Sequence, residues 1–440
     1  MKKLLTALMA LFALTTVVAC SNEGTEKENE KGEEKSELTV SISEPVTLEF
    51  WHAMGGANEE AVNYLVEDFN NTVGKDLGIT IEPIYQGSYN DLKSKVTAAI
   101  KSGTAPAISQ AYPDWVAEYL QADVVVALDE YINHSEVGIK DFDGISEAYR
   151  AENSQYTTDG TFYSLPFNKS TEVLYYNKDF FEANDLTAPT TWDEMEEVSA
   201  KIFELTGKPA FGIDSAQNMF ITLVQQFGGE YTTSQGEIKF GEGDAAVQAL
   251  ELIKRNTDAG YWRLPGEDKY MSGPFTNELV YMYIGSTSGA AFVNNDNFQW
   301  SSAPIPQQSE STKAVIQQGT NVVIMNQDKT EEEVYAAYEF GKYLGSEEAN
   351  LYWATHTGYL PIRQTVIDMP EYQAYVEESG DSTKVSGPAQ SEYYFYDPAF
   401  FSGSISSYNV RTEAGNAVEQ VVLNGMEPAA AVEAALNALK

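Results

Sequence analysis

Apolar positions along the chain recur with two periods. Val46-Thr-Leu-Glu-Phe-Trp51 alternates as a strand does, with bulky residues suited to a pleated sheet. Ala61, Tyr64, Leu65 and Phe69 then recur at helical spacing, and Ile79–Tyr85 returns to the strand pattern. Leu92, Val96, Ala99 and Ile100 mark a second helix ending at Gly103, Ala107–Ala111 a third strand, and Val116–Leu120 the next helix. Strands alternating with crossovers of helical length predict a doubly wound α/β sheet. Ligands of such sheets bind beyond the carboxyl ends of the strands. Those ends carry Trp51-His52-Ala53-Met54, Gln86-Gly87-Ser88-Tyr89 and Tyr112-Pro113-Asp114.

A second α/β pattern follows. Tyr163–Phe167 reads as a strand interrupted at Pro166, with a β-prone continuation over Val173–Tyr176. Thr191-Trp-Asp-Glu194 is a capping box, because threonine and glutamate satisfy each other's free amides at a helix start. Strands are predicted at Phe211–Ile213, Leu279–Ile284 and Val322–Met325, helices at Asp244–Lys254 and Glu331–Leu344, and the last third is mainly helical. No internal repeat is visible, which excludes solenoids and propellers. Two α/β lobes sharing one cleft is the economical arrangement.

Composition narrows the function. The chain has 440 residues, enough for two or three packed domains, and its 66 acidic against 27 basic residues give a net charge of −39. Such a charge repels phosphate backbones and anionic membrane surfaces, so a nucleic-acid partner is disfavoured. One cysteine and three histidines, His52, His134 and His356, set far apart, disfavour a zinc site. Lys2 and Lys3 precede an apolar run from Leu4 to Val18, too short for a comfortable membrane span and patterned as a secretory signal. Val17-Val-Ala-Cys20 resembles a bacterial lipoprotein box, which implies a signal peptide over 1–19 and acylation of Cys20 at the outer face of the cell membrane. Residues 20–45 then read as a lipidated, acidic, disordered tether, with folded sequence starting near Val46.

Catalytic motifs are hard to assemble: the chain lacks a G-x-S-x-G elbow, an H-E-x-x-H pair and a G-x-x-x-x-G-K-[ST] loop. Hydroxyl-rich and cationic loops stand out instead. Gly285-Ser-Thr-Ser-Gly289 follows a strand, and its amides and hydroxyls could converge on an anion or a polyol, although an ordinary turn uses the same residues. Arg411 is one of five arginines and precedes a helical segment, where a guanidinium could grip a carboxylate or phosphate bidentately; a surface ion pair is the commoner fate.

Several stretches, taken in order, resemble the extracellular solute-binding proteins of ABC importers, most closely the glycerol-3-phosphate-binding branch of the sugar-binding family. They are Phe50-Trp-His-Ala-Met54, Ala105-Pro-Ala-Ile108, Ser164-Leu-Pro-Phe-Asn168 with Ser170-Thr171, Val173-Leu-Tyr-Tyr-Asn-Lys-Asp179, Thr191-Trp192 and Thr357-Gly-Tyr-Leu-Pro361. The resemblance implies a two-lobed α/β fold of the type II periplasmic-binding-protein kind. Lobe one would cover 46–166 plus 305–344 and lobe two 168–303 plus 346–440, with chain crossings near Pro166–Ser170, Ala303–Pro306 and Leu344–Glu347.

The resemblance also implies a monomeric binding protein without catalysis or cofactor, handing sn-glycerol-3-phosphate or a glycerophosphodiester to a permease. Its ligand contacts would be Tyr89, Asp114, Ser170, Ser286, Gly319 (through its amide), Tyr359 and Arg411. Two departures stand against it: Pro113 follows Tyr112 where the branch has a glutamate, with Asp114 one place later, and Ser215–Phe220 lacks the branch's tryptophans. A neutral sugar or oligosaccharide is therefore the alternative, with Trp51, Trp115 and the tyrosines of 393–396 as stacking faces. A lipid-anchored glycosidase using a carboxylate pair, or an adhesion lipoprotein, ranks below both.

Overall fold

A computed structural model describes residues 38–440 except Asn294. The expected signal peptide and Cys20 lie outside the described residues. Folding starts earlier than the pattern predicts. Leu38, Val40 and Ile42 pack against the first core, and Ser43 donates from its amide and hydroxyl to Glu332.

The first strands follow the predicted alternation closely. β1 (Val46–His52) buries Leu48, Phe50 and His52 and turns Thr47 and Glu49 to solvent. It pairs in parallel with β2 (Ile79–Tyr85) and β3 (Ile108–Ala111), with crossover helices Ala57–Asn71 and Tyr89–Ser102. β4 (Leu165–Asn177) is one long strand, although the sequence suggested a break at Pro166. Its ladder shifts register between Pro166 and Asn168, where a missing amide hydrogen is tolerated. The remaining strands are β5 (Phe211–Ile213), β6 (Trp262–Arg263), β7 (Met282–Ser286), β8 (Trp300–Ala303), β9 (Val315–Ile324) and β10 (Tyr394–Phe395).

Hydrogen bonds join them in the order β2-β1-β3-β9-β4-β7-β5-β6, with β8 on β4 and β10 on β9. β9 runs antiparallel to β3 and β4, and β4 antiparallel to β7, whereas β5 lies parallel to β6 and β7. Two α/β halves are thus joined through β4 and β9.

The cores show the same division. The first gathers Leu48, Phe50, Leu165, Phe167, Val322 and Ile324 with Phe340, Trp353 and Tyr359. The second gathers Leu174, Trp192, Phe211, Leu250 and Ile305 with Val315, Ile316, Phe400 and Val418. β4 and β9 each contribute to both. The capping box at Thr191 forms, with Thr191 and Glu194 bonded reciprocally, and Trp192 donates to Gln226 from inside the second core.

Candidate functional site

Alternation along β4 builds one wall of a cleft. Lys169 and Thr171 turn away, Lys169 into a fully buried ion pair with Glu152, which also accepts from Gln317 at 3.0 Å and Asn321 at 3.1 Å. Asn168, Ser170 and Glu172 share the other face. Asn168 accepts from Gln110 at 3.0 Å and from the Thr320 hydroxyl, and donates to the Tyr89 hydroxyl at 3.2 Å. Ser170 accepts from Ser286 at 3.1 Å, and Ser286 bonds Ser288 at 2.8 Å. These hydroxyls stand together because β7 places Ser286 opposite Glu172 in the ladder.

Aromatic rings form the adjoining wall. Tyr89 opens its helix behind a capping box between Ser88 and Asp91. Its ring centroid lies 5.0 Å from that of Tyr112 and 6.4 Å from that of Trp115. Its hydroxyl meets that of Tyr359 at 3.1 Å. Tyr359 is fixed by buried Lys384, whose ammonium donates to the carbonyls of Ala354, Thr357 and Tyr359 at 3.0, 2.9 and 2.6 Å. Burial lowers the pKa of Lys384 to about 8. Gly358 lets this turn touch the serine loop, since a Cβ there would come within 2.7 Å of the Ser288 carbonyl oxygen.

Charge enters from the helix Ser407–Asn424, which starts with a Ser406–Asn409 capping box. Its Arg411 donates to Asp397 at 2.8 Å and to Asn218 Oδ1 at 2.6 Å. Burial opposes this charge, but the bonded Asp397 carboxylate holds the guanidinium firmly protonated. Asn218 passes the contact on, donating to Glu172 at 2.9 Å. Asp114, in the first turn of the helix Pro113–Tyr119, faces Lys93, Arg411 and Asp397. Burial raises Asp114 to about 6 and Glu172 to about 7. Across the cleft, Lys93 lies 3.9 Å over the ring of Tyr408, joining the helices that carry Tyr89 and Arg411.

The structure brings most of the sequence-derived residues into this region. Tyr89 meets Tyr359, Ser170 meets Ser286, and Asp114 faces Arg411. Gly319 stands opposite Lys169 in the ladder at φ 102°, with the Asn168 carbonyl where a side chain would be. Of the stacking candidates, Trp115 joins the tyrosine wall, whereas Trp51 donates to Glu49 at 2.7 Å. Sequence reasoning set Tyr112 at a strand end and Asn168 in the family motif without giving either a contact, and missed Glu172, Asn218 and Asp397. The alternation of β4 was the available signal for Asn168 and Glu172. Asn218 comes from the very segment that lacks the branch's tryptophans.

Two α/β halves with polar side chains gathered between them are the arrangement of a class of proteins that capture a small solute. The family described as bacterial extracellular solute-binding protein matches residues 64–378, and the chain belongs to it. The chain is 27% identical over 353 residues to the sn-glycerol-3-phosphate-binding periplasmic protein UgpB of Pectobacterium atrosepticum, spanning 76% of this chain and 77% of that one. UgpB from Mycobacterium tuberculosis, solved in complex with glycerophosphocholine, superposes with a TM-score of 0.77 at 20% identity, over 90% of this chain and 97% of that one. The GacH receptor of Streptomyces glaucescens, solved unliganded and with acarbose, gives 0.75 at 18% identity, over 89% and 98%.

The fold is therefore that of the two-lobed solute-binding proteins, and the protein serves an ABC importer as its binding component rather than as an enzyme. Among the described residues no helix is long and apolar enough to cross a membrane.

Proposed function

We propose that the cleft captures a glycerophosphodiester, a polyol carrying a single negative charge, and that closure of two lobes holds it for delivery to the permease. The observation that carries this reading is Arg411, bonded to Asp397 and Asn218 and facing Asp114. A guanidinium fixed in this way can offer its remaining donors to a phosphate oxygen. The carboxylates around it leave little positive charge to balance the second charge of a monoester, so the diester ranks above free glycerol phosphate. The hydroxyls of Ser170, Ser286 and Ser288 and the rings of Tyr89 and Tyr112 suit the polyol and its chain.

Calorimetric titration with glycerophosphoglycerol, sn-glycerol 3-phosphate and maltose tests the ranking. Tightest binding of the diester is expected, and binding of maltose alone would overturn it. A neutral saccharide is the second reading, favoured by the acceptors Asp114 and Asp397, to which sugar hydroxyls can donate.

The lobes on this reading are 46–166 plus 305–344 and 168–303 plus 346–440, and a crossing within β4 is supported by Leu165 and Phe167 packing in the first core and Leu174 in the second. The protein acts as a monomer held outside the cell membrane by lipid on Cys20. Cys20→Ser should release it from the membrane fraction into the medium; retention on membranes would refute the anchor.

A further inference from the structure

Glu172 breaks a row of neutral polar side chains. Asn168 and Ser170 precede it on the cleft face of β4, and Leu174 follows it into the second core. It is 2% exposed, a costly position for a carboxylate unless it is bonded. One of its oxygens accepts from Asn218 at 2.9 Å and from Gln318 at 3.4 Å. The same Asn218 accepts from Arg411 through its amide oxygen. An amide side chain has one accepting and one donating end, so Glu172 fixes which end meets the guanidinium. Carboxylate, amide and guanidinium thus form a continuous relay from β4 to the helix Ser407–Asn424.

We propose that Glu172, acting through Asn218 on Arg411, sets the charge preference of the cleft, admitting neutral and singly charged solutes and resisting doubly charged phosphate monoesters. This rests on the cleft being the solute site and goes further, because it assigns charge selection to one positioning residue. Asp397 already pairs with Arg411, and Glu172 adds a second carboxylate within its field. A monoester near neutral pH carries almost two negative charges and a diester one, so the repulsion falls hardest on the monoester. The charged groups facing Glu172 are Asp214, from the end of β5, and Arg411; Ser286 of β7, Gln318 of β9 and Asn218 are neutral. Burial raises the Glu172 carboxyl to about 7, so the discrimination relaxes as pH falls.

Glu172→Gln tests this while keeping an oxygen for Asn218 and Gln318. Calorimetric titration at pH 8 with sn-glycerol 3-phosphate, glycerophosphoglycerol and maltose should show the monoester tightened about three- to thirtyfold in the variant. The diester should gain less, and maltose should stay within about twofold, the residue being remote from an uncharged ligand's electrostatics. Equal changes for all three would mean a merely structural role and would overturn the assignment to Glu172 alone. If neither protein binds any of the three, the ligand reading itself fails, and the proposal with it. Should Glu172→Gln not fold, Asp114→Asn decides, since it removes the other carboxyl raised into this window beside Arg411: its affinity for glycerophosphoglycerol, whose charge is constant between about pH 5.5 and 8, should rise severalfold across that fall in pH. A flat profile would overturn the proposal.

Discussion

At the scale of single residues, the cleft depends on cations whose partners are already chosen. Lys169 is neutralised by Glu152 behind β4 and Lys384 is spent on three carbonyls, whereas Arg411, and Lys93 beside Asp114, belong to the solute-facing region. Arg411→Ala should weaken binding of a glycerophosphodiester by roughly tenfold to a thousandfold, because a desolvated charge-assisted contact is lost and Asp397 is left unpaired. Arg411→Lys should recover only part of it, since an ammonium cannot bond Asp397, Asn218 and a phosphate oxygen with one planar fork. Calorimetric titration reads both, with thermal melts confirming that the variants fold. Undiminished affinity of Arg411→Ala would remove this residue from the site.

Elements were legible where a period ran long enough to outvote composition. β1, β2 and the helix Glu331–Leu344 follow from alternation or helical spacing, and the Thr191 capping box from four residues. β4 was harder, since Pro166 looks like a break until its partner strand is known. The site was legible in part. The resemblance pointed to Tyr89, Ser170, Ser286, Tyr359 and Arg411, but Glu172 and Asp397 are two carboxylates among 66 acidic residues. Alternation along β4 gives the face of Glu172 but not its burial, and nothing local marks Asp397; the pairing of β4 with β7 and the approach of a distant helix bury them.

Gly319 shows the same dependence on a neighbouring strand. Its φ of 102° and the 1.9 Å between an added Cβ and the Asn168 carbonyl oxygen require glycine. Gly319→Ala should cost about 2 kcal/mol or more, since strain at such a backbone is joined by separation of β4 from β9. A denaturant titration measures it, and a loss under about 0.5 kcal/mol, the ordinary range of a harmless surface change, would contradict the close approach.

At the scale of the whole molecule, a solute favours the closed form only by contacting both halves together. Tyr89 and Asp114 lie on one side, Ser286 and Arg411 on the other, and Asn168 and Tyr359 lie near the join. The buried carboxyls also give stability a pH dependence. Asp114 and Asp214 are raised by burial to about 6 and Glu172 to about 7, so between about pH 4 and 7 the folded chain keeps protons that the unfolded chain has released. Stability then falls as pH rises through that window. Buried His52, lowered to about 4, offsets one of these three carboxyls between about pH 6.5 and 4, and the capping carboxylates Asp91 and Glu194, lowered by their hydrogen bonds, lose their contribution in stronger acid. The melting temperature should therefore climb from pH 8 to about pH 5 and drop below about pH 4; scanning calorimetry across buffers checks this, and a monotonic rise with pH would contradict it.

Because β4 and β9 each supply side chains to both cores, neither half can come apart without dragging on backbone that the other needs. Proteins joined by loose linkers often show two heat-absorption peaks, one for each part. Here heating should produce a single peak whose calorimetric and van't Hoff enthalpies agree. The two strands that join the halves would then also make them fail together.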